Sequence, residues 1–542
     1  NLTAIVTTNS LSSGSATQVA AVVPVVTNSL ANLAPNAATV IIAGLGFDST
    51  PANNTVVFNL GAAGTVTAAT ATSLTVTFST NPTTMGSLTA VVTSNSLASG
   101  AAVQVATVKP IVTSNTANLA ANATTLTING FGFDTTAANN TVLFNNGAVG
   151  TVTSATTTAL TVSISSGPTT AGSLTAIVTT AGQNSGGAVQ VASVAPSITS
   201  STTNLSANVS TLTINGFGFD PIVANNSVVF NGSSAGTVTA ATATSLTISF
   251  STNSPPTAGN LTAVVTTNSQ NSGASVQVAT VTPVVTSSTA NVAANASTIT
   301  VNGFGFDAVA ANNSVVLNNG AVGTIASATA TSLTVTLTTL PVSAGGLTVV
   351  VTTNTQVSGS AAQIASVAPV VLANDGNILS ASSSTLTIIG VGFDTTAGNN
   401  TVVFNNGAVG IVTSATATAL SVSLSTRPTN VGGLSAVVTT NAVSSGNSVK
   451  VGTVVASIDV NSTALAANAS VLTITGLAFD PTPSLNTIVF NNGAVGSVTS
   501  ATATTLTVTL TTRPTSSGNL TAIVTTNSQS NGRAVQVAVV TP

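Results

Sequence analysis

Thr125-Leu126-Thr127-Ile128-Asn129-Gly130-Phe131-Gly132-Phe133-Asp134 decides the fold of this chain. Its first half alternates apolar and hydroxyl or amide side chains, the period of a strand with one covered face. Its second half, Gly-x-Gly-Phe-Asp, breaks the strand and turns. The same segment closes on Asp48, Asp134, Asp220, Asp307, Asp394 and Asp480, 86 or 87 residues apart, with Ala478 replacing the second glycine in the last copy. A period of that size is too long for a solenoid coil and fits one small β-sandwich. The chain therefore reads as a string of near-identical domains, with its function in the string rather than in one pocket.

Pro24, Pro110, Pro196, Pro283 and Pro369 open the units, Ala456 takes that place in the sixth, and Pro542 closes the chain. Six β-sandwich repeats are expected at 24–109, 110–195, 196–282, 283–368, 369–455 and 456–542. Residues 1–23 read as the last two strands of a preceding repeat, because Leu2–Thr8 matches Leu88–Thr93 and Ala16–Val22 matches Ala102–Val108. Two such strands do not fold alone, so they either belong to an earlier repeat or complete the domain of a neighbouring chain. No flexible linker separates the units: Val103–Val108 runs through Lys109-Pro110 into the next. Such junctions predict a stiff rod, at roughly 30–40 Å per domain.

Within the second repeat the pattern predicts about seven strands. These are Ile111–Thr113, Thr125–Asn129, Thr141–Phe144, Thr151–Ser154, Leu160–Ile164, Gly172–Thr180 and Ala188–Val194. Asn145-Asn146-Gly147 reads as a hairpin turn, since Asn-Gly tolerates positive φ. In Leu74-Thr75-Val76-Thr77-Phe78 the apolar side chains face one way and the hydroxyls the other, as in a sandwich sheet. The expected class is all-β, a tandem array of about six β-sandwiches end to end. No apolar stripe of helical length is present.

Composition narrows the function. Charged residues are 2% of the 542, against roughly 25% in an ordinary soluble domain, and the formal charge is −3. The five basic residues, Lys109, Arg427, Lys450, Arg513 and Arg533, are scattered. Nucleic acid is therefore not an expected partner, because it requires basic clusters. Mean hydropathy is +0.57, yet apolar runs such as Val19–Val26 end far short of the roughly 20 residues that span a bilayer, so membrane insertion is not expected. With so little charge repulsion, association between chains is expected. Two of the basic residues precede proline, Arg427-Pro428 and Arg513-Pro514, which suits exposure to proteases. No Cys is present, so disulfides do not hold the units.

The chain has no His, Cys or Glu, and the repeat acids come one per domain. The usual bases and thiol nucleophiles are missing and paired carboxylates lack a second acid, so no catalytic residue, cofactor or metal site is assigned and the chain is read as a non-enzyme. The recurring Asp admits two readings. It is a Ca²⁺ ligand helped by Asn139 and Asn140 (Asn53 and Asn54 in the first repeat), or it closes an Asx-type turn by accepting from N–H groups two or three residues on. All sixteen Phe recur at repeat positions and are expected in the core. Many Asn-x-Ser/Thr sequons arise by chance in so Thr- and Ser-rich a chain, but those at Asn53, Asn139, Asn225, Asn312 and Asn399 fall in one turn, which would accept glycans in a host with the machinery.

Leu212-Thr213-Ile214-Asn215-Gly216-Phe217-Gly218-Phe219, Val228-Val229-Phe230 and Leu246-Thr247-Ile248-Ser249-Phe250 together resemble the IPT/TIG family of immunoglobulin-like domains. The resemblance covers all six units and implies an early-set sandwich. It extends to receptors, transcription factors, carbohydrate-active enzymes and bacterial surface proteins, and the basic loops of the DNA-binding members are missing here. The expected function is a structural, self-assembling extracellular protein: a cell-surface fibre, stalk or matrix built by end-to-end and lateral packing. The alternative is the spacer arm of a bacterial adhesin whose binding domain lies elsewhere.

Overall fold

The computed structural model describes residues 1–232, 235–250 and 256–542. Residues 233–234 and 251–255, inside the third repeat as bounded above, lie outside the described residues. The chain divides into two compact units, one holding Asn1–Thr203 and Asn260–Thr280, the other Val281–Pro542. Each unit is all-β and built from repeated Ig-like sandwiches. Among the described residues the only helical segments are single 3₁₀ turns such as Ala137–Asn139.

The second repeat shows how one sandwich is made. Its strands are β1 (Ile111–Val112), β2 (Asn118–Ala120), β3 (Thr125–Phe131), β4 (Asn140–Phe144) and β5 (Val149–Ala155). They continue as β6 (Ala159–Ser166), β7 (Gly172–Thr180), β8 (Gln183–Asn184) and β9 (Val189–Ala195). One sheet runs β1-β3-β6-β5 and the other β2-β9-β7-β4, with β8 also on β7. This is the two-sheet division of a constant-type immunoglobulin domain. The opening strand is split: β1 pairs antiparallel with β3, whereas β2 crosses and pairs parallel with β9. The closing strand is broken into β8 and β9, both paired with β7.

The short segments β2 and β8 were not legible as strands. They have three and two residues, too few for a period to appear. The hairpin expected at Asn145-Asn146-Gly147 needs a larger correction. Asn146 and Gly147 do adopt φ of 54° and 70°. However, β4 pairs with β7 and β5 pairs with β6, so this turn carries the chain from one sheet to the other. Its amides tie it down rather than letting two strands zip. Asn145 Nδ2 donates to Ser173 O at 3.1 Å, and Asn146 Nδ2 donates to Thr170 O.

Alternation fills the core. Leu126, Ile128, Leu160, Val162, Leu174, Ala176 and Val178 all point inward and are buried. Gly130 follows on the same face because nothing larger fits. A Cβ there would lie 2.0 Å from Ile111 O and 2.4 Å from the Phe133 ring. The ring thus rests on bare backbone. Gly132, at φ +78°, then reverses the chain so that Phe133 enters the core.

The first 23 residues keep the register of the closing strands of a repeat. Leu2 opposes Ala20 and Thr3 opposes Gln18, with the same one-residue break that follows Leu88 opposite Ala106. Leu2, Val6 and Val19 are exposed, whereas their counterparts Leu88, Val92 and Val105 are buried.

Candidate functional site

Both readings of the recurring Asp meet in one loop, whose hydrogen bonds form the Asx turn. Asp134 Oδ1 accepts the Thr136 N–H at 2.7 Å, two residues on, which makes an Asx turn. Its Oδ2 accepts from Asn139 Nδ2 at 3.0 Å. Asn140 is 4% exposed and fully engaged. Its Oδ1 accepts from Asp134 N–H at 3.1 Å and Thr180 Oγ1 at 2.8 Å, and its Nδ2 donates to Asp134 O at 2.7 Å and Thr136 O at 3.1 Å. The carboxylate therefore faces N–H donors, and the Asn140 oxygen is already taken. The Asx turn and the Thr–Asn bond recur about Asp220, Asp307, Asp394 and Asp480, whereas, among the described residues, the bond from the Asn139 position recurs only at Asp220 and Asp307. Among the described residues, no three His, Cys, Asp or Glu converge. These bonds stitch β4 to the end of β7.

These donors hold the carboxyls of Asp134, Asp220 and Asp394 below the ordinary 3.8, chiefly through the main-chain N–H two residues on. A depressed carboxyl binds its proton more weakly folded than unfolded. Its stabilisation is present above the unfolded value and lost as pH falls through the folded one. With no His in the chain, no side chain has an ordinary value near neutrality. The urea midpoint is therefore expected to stay flat from about pH 8 to about pH 5 and to fall only below about pH 4. A decline between pH 8 and 5 in a urea titration series would contradict this.

The aromatic positions divide. The Phe closest to Asp is core in every repeat: Phe47, Phe133, Phe219, Phe306, Phe393 and Phe479 are all buried. The expectation that all sixteen are core does not hold, because Phe131 and Phe217 are 39% and 45% exposed. They sit one residue out of phase with the core, so the pleat turns them to the outer face.

The sequon residues Asn53, Asn139, Asn225, Asn312 and Asn399 all lie exposed at the ends of the 3₁₀ turns, each followed by the buried Asn of the loop.

A further surface was not singled out from the sequence. Strand β4 is a sheet edge, paired only with β7. On its outer face Leu143 is 68% exposed. The equivalent Val57, Val229, Val316, Val403 and Val489 are 67–69% exposed. None of these six strands carries a charge. Their fixed spacing was the available signal, but they read as ordinary alternating strand residues until the partner on one side proved to be missing. Among the described residues, no helix is long and apolar enough to cross a membrane.

No family model matches the chain, and no curated protein matches it. Solved structures similar to it include the N-terminal eight Ig domains of Down Syndrome Cell Adhesion Molecule. That match has 11% identity over 96% of this chain and 74% of that one, with a TM-score of 0.15. Invasin, a bacterial integrin-binding protein, is 15% identical over 65% of this chain and 80% of its own, with a TM-score of 0.17. The Escherichia coli adhesin FdeC is 15% identical over 59% of this chain and 98% of its own, with a TM-score of 0.15. At such scores the likeness carries no argument about partners or function.

Proposed function

We propose that this chain is a structural repeat protein of an extracellular fibre, stalk or matrix at a cell surface. Copies associate laterally through the uncharged β4 edges and the Thr/Ser/Asn faces beside them. The repeats are proposed to be IPT/TIG-type domains bounded at 24–109, 110–195, 196–282, 283–368, 369–455 and 456–542. The observation that carries this reading is the recurrence of one two-thirds-exposed aliphatic residue on an open, charge-free edge strand in all six repeats. A soluble protein normally blunts such an edge with lysine, proline or a bulge, because unpaired N–H and C=O groups recruit another strand. Six unblunted edges at a regular spacing suit a polymer. Low charge and few basic cleavage points support an extracellular setting, and the lack of His, Cys and Glu supports a non-enzymatic role.

The test places lysine on every edge: V57K, L143K, V229K, V316K, V403K and V489K together. Each site is solvent-facing, so each change is expected to alter folding stability by no more than about 0.5 kcal/mol. The wild-type chain is expected to form assemblies by sedimentation velocity and electron microscopy, and the six-lysine variant to remain monomeric. A wild-type chain that stays monomeric at every concentration would overturn the polymer reading and favour the adhesin spacer.

A further inference from the structure

The Asp-Asn loop reaches beyond its own repeat. Where the third repeat follows the second, inside the first compact unit, Ala171 N–H donates to Gly218 O at 2.8 Å. Asn268, in the turn between the last two long strands, donates its Nδ2 to Ala171 O at 3.1 Å and to Asp220 Oδ2 at 3.0 Å. Where the fifth repeat follows the fourth, inside the second unit, the pattern returns. Ala344 N–H donates to Gly392 O at 2.8 Å, and Asn441 Nδ2 donates to Ala344 O at 2.9 Å and Asp394 Oδ2 at 3.0 Å. One residue of each earlier repeat thus has both main-chain groups held by the later one.

Packing makes the same joint close. A Cβ on Gly218 would fall 2.5 Å from the Ala121 methyl, and one on Gly392 would fall 2.4 Å from the Ala294 methyl. Only glycine lets the repeats approach this far.

Among the described residues, two other joints lack these hydrogen bonds, although Gly132 keeps the close approach at the first–second, where a Cβ would fall 2.4 Å from Pro35 Cγ, and Ala478 is buried against the fifth repeat's core at the fifth–sixth. In the second repeat Ala181 stands where Asn268 and Asn441 stand, and Met85 of the first repeat replaces Ala171 and Ala344. In the sixth repeat Ala478 replaces the glycine, at φ 61°, and Val431 of the fifth replaces the alanine. Asn527 still bonds Asp480 Oδ2 at 2.8 Å, but among the described residues it makes no bond to the fifth repeat. A cleft of about 520 Å³ lies at this last joint, lined by Ala381, Arg427, Pro428, Leu477 and Ala478.

We infer that the Asp-Asn pair is a metal-free clamp between successive repeats, engaged at the second–third and fourth–fifth joints and released at the first–second and fifth–sixth. The Asn amide bridges its own carboxylate and the neighbour's carbonyl, two oxygens that a cation would otherwise have to bridge. The released joints are hinges. This inference does not depend on whether copies of the chain associate.

The chain has no Cys, so spin-label pairs can be introduced without background. Ser327, Ser414 and Ser500 are equivalent exposed positions in the fourth, fifth and sixth repeats. Double electron-electron resonance on the full chain is expected to give a narrow distance distribution for S327C/S414C and a broad one for S414C/S500C. Adding N441A should abolish the narrow peak and leave the second pair unchanged. Adding a chelator should leave both unchanged. Equal widths in the two pairs, an N441A chain that keeps its narrow peak, or broadening by the chelator would each overturn the inference.

Discussion

Phe393→Ala is expected to make the fifth repeat the first to unfold in urea while its neighbours remain folded. Phe393 is fully buried and packs with Leu386, Ile388, Leu420, Val422, Leu434 and Val438. Its ring lies on Gly390, where a Cβ would stand 2.3 Å from Cζ. Truncation removes the ring and leaves a cavity that bare backbone and strand cannot collapse to fill. Losses for such changes run about 3–5 kcal/mol. That is a large share of the roughly 5–15 kcal/mol that holds a typical domain folded. Hydrogen exchange read by mass spectrometry along a urea series should show peptides from 369–455 losing protection first. Phe131→Ala, on the outer face, is the control and should shift its repeat by under about 1 kcal/mol. Equal effects of the two substitutions would show that the ring on Gly390 is not the keystone of the repeat.

The second large effect is expected from a polar side chain. Asn140→Ala leaves four groups without their partner: Asp134 N–H, Asp134 O, Thr136 O and the Thr180 hydroxyl. Thr180 is itself buried, so its hydroxyl has no ready access to water. An unsatisfied buried group costs about 1–3 kcal/mol, and partial hydration of the loop offsets some of it, so a loss of about 2–4 kcal/mol is expected for the second repeat. Asn140→Asp should be no better. It keeps an acceptor but loses both donors and sets a second carboxylate near Asp134. Asn139→Ala, one residue earlier and exposed, should cost under about 1 kcal/mol. Local protection of 110–195 by hydrogen exchange measures all three. An Asn140→Ala chain as stable as Asn139→Ala would remove the loop from the list of what holds the repeat.

Much of the fold was legible. Leu74-Thr75-Val76-Thr77-Phe78 was read as one covered face and one hydroxyl face, and Leu74 and Val76 are fully buried. The Gly-x-Gly-Phe-Asp break was visible because glycine and a recurring aromatic interrupt an otherwise regular period. The Asx reading of Asp134 was available for a similar reason: it depends on atoms two residues away. Asn145-Asn146-Gly147 was misread, although its local geometry was read correctly. Positive φ at Asn146 and Gly147 is a property of those residues, but which sheet receives the next strand is not. Phe131 was misassigned because an aromatic residue carries a strong prior for burial, and its phase against Ile128 outweighed that prior.

The sequence by itself determined the class, the repeat length, the inward and outward residues of the long strands, and the chemistry that is missing. Each follows from local sterics, from period, or from which side chains exist at all. Only the tertiary structure decided that β4 is an open edge, that Asn140 is buried and saturated, and that Asn268 and Asn441 hold a neighbouring repeat. These depend on groups far apart in sequence. Asn441 meets Ala344 across 97 residues, and no pattern along the chain states which strand will lack a partner or which amide will reach the next domain.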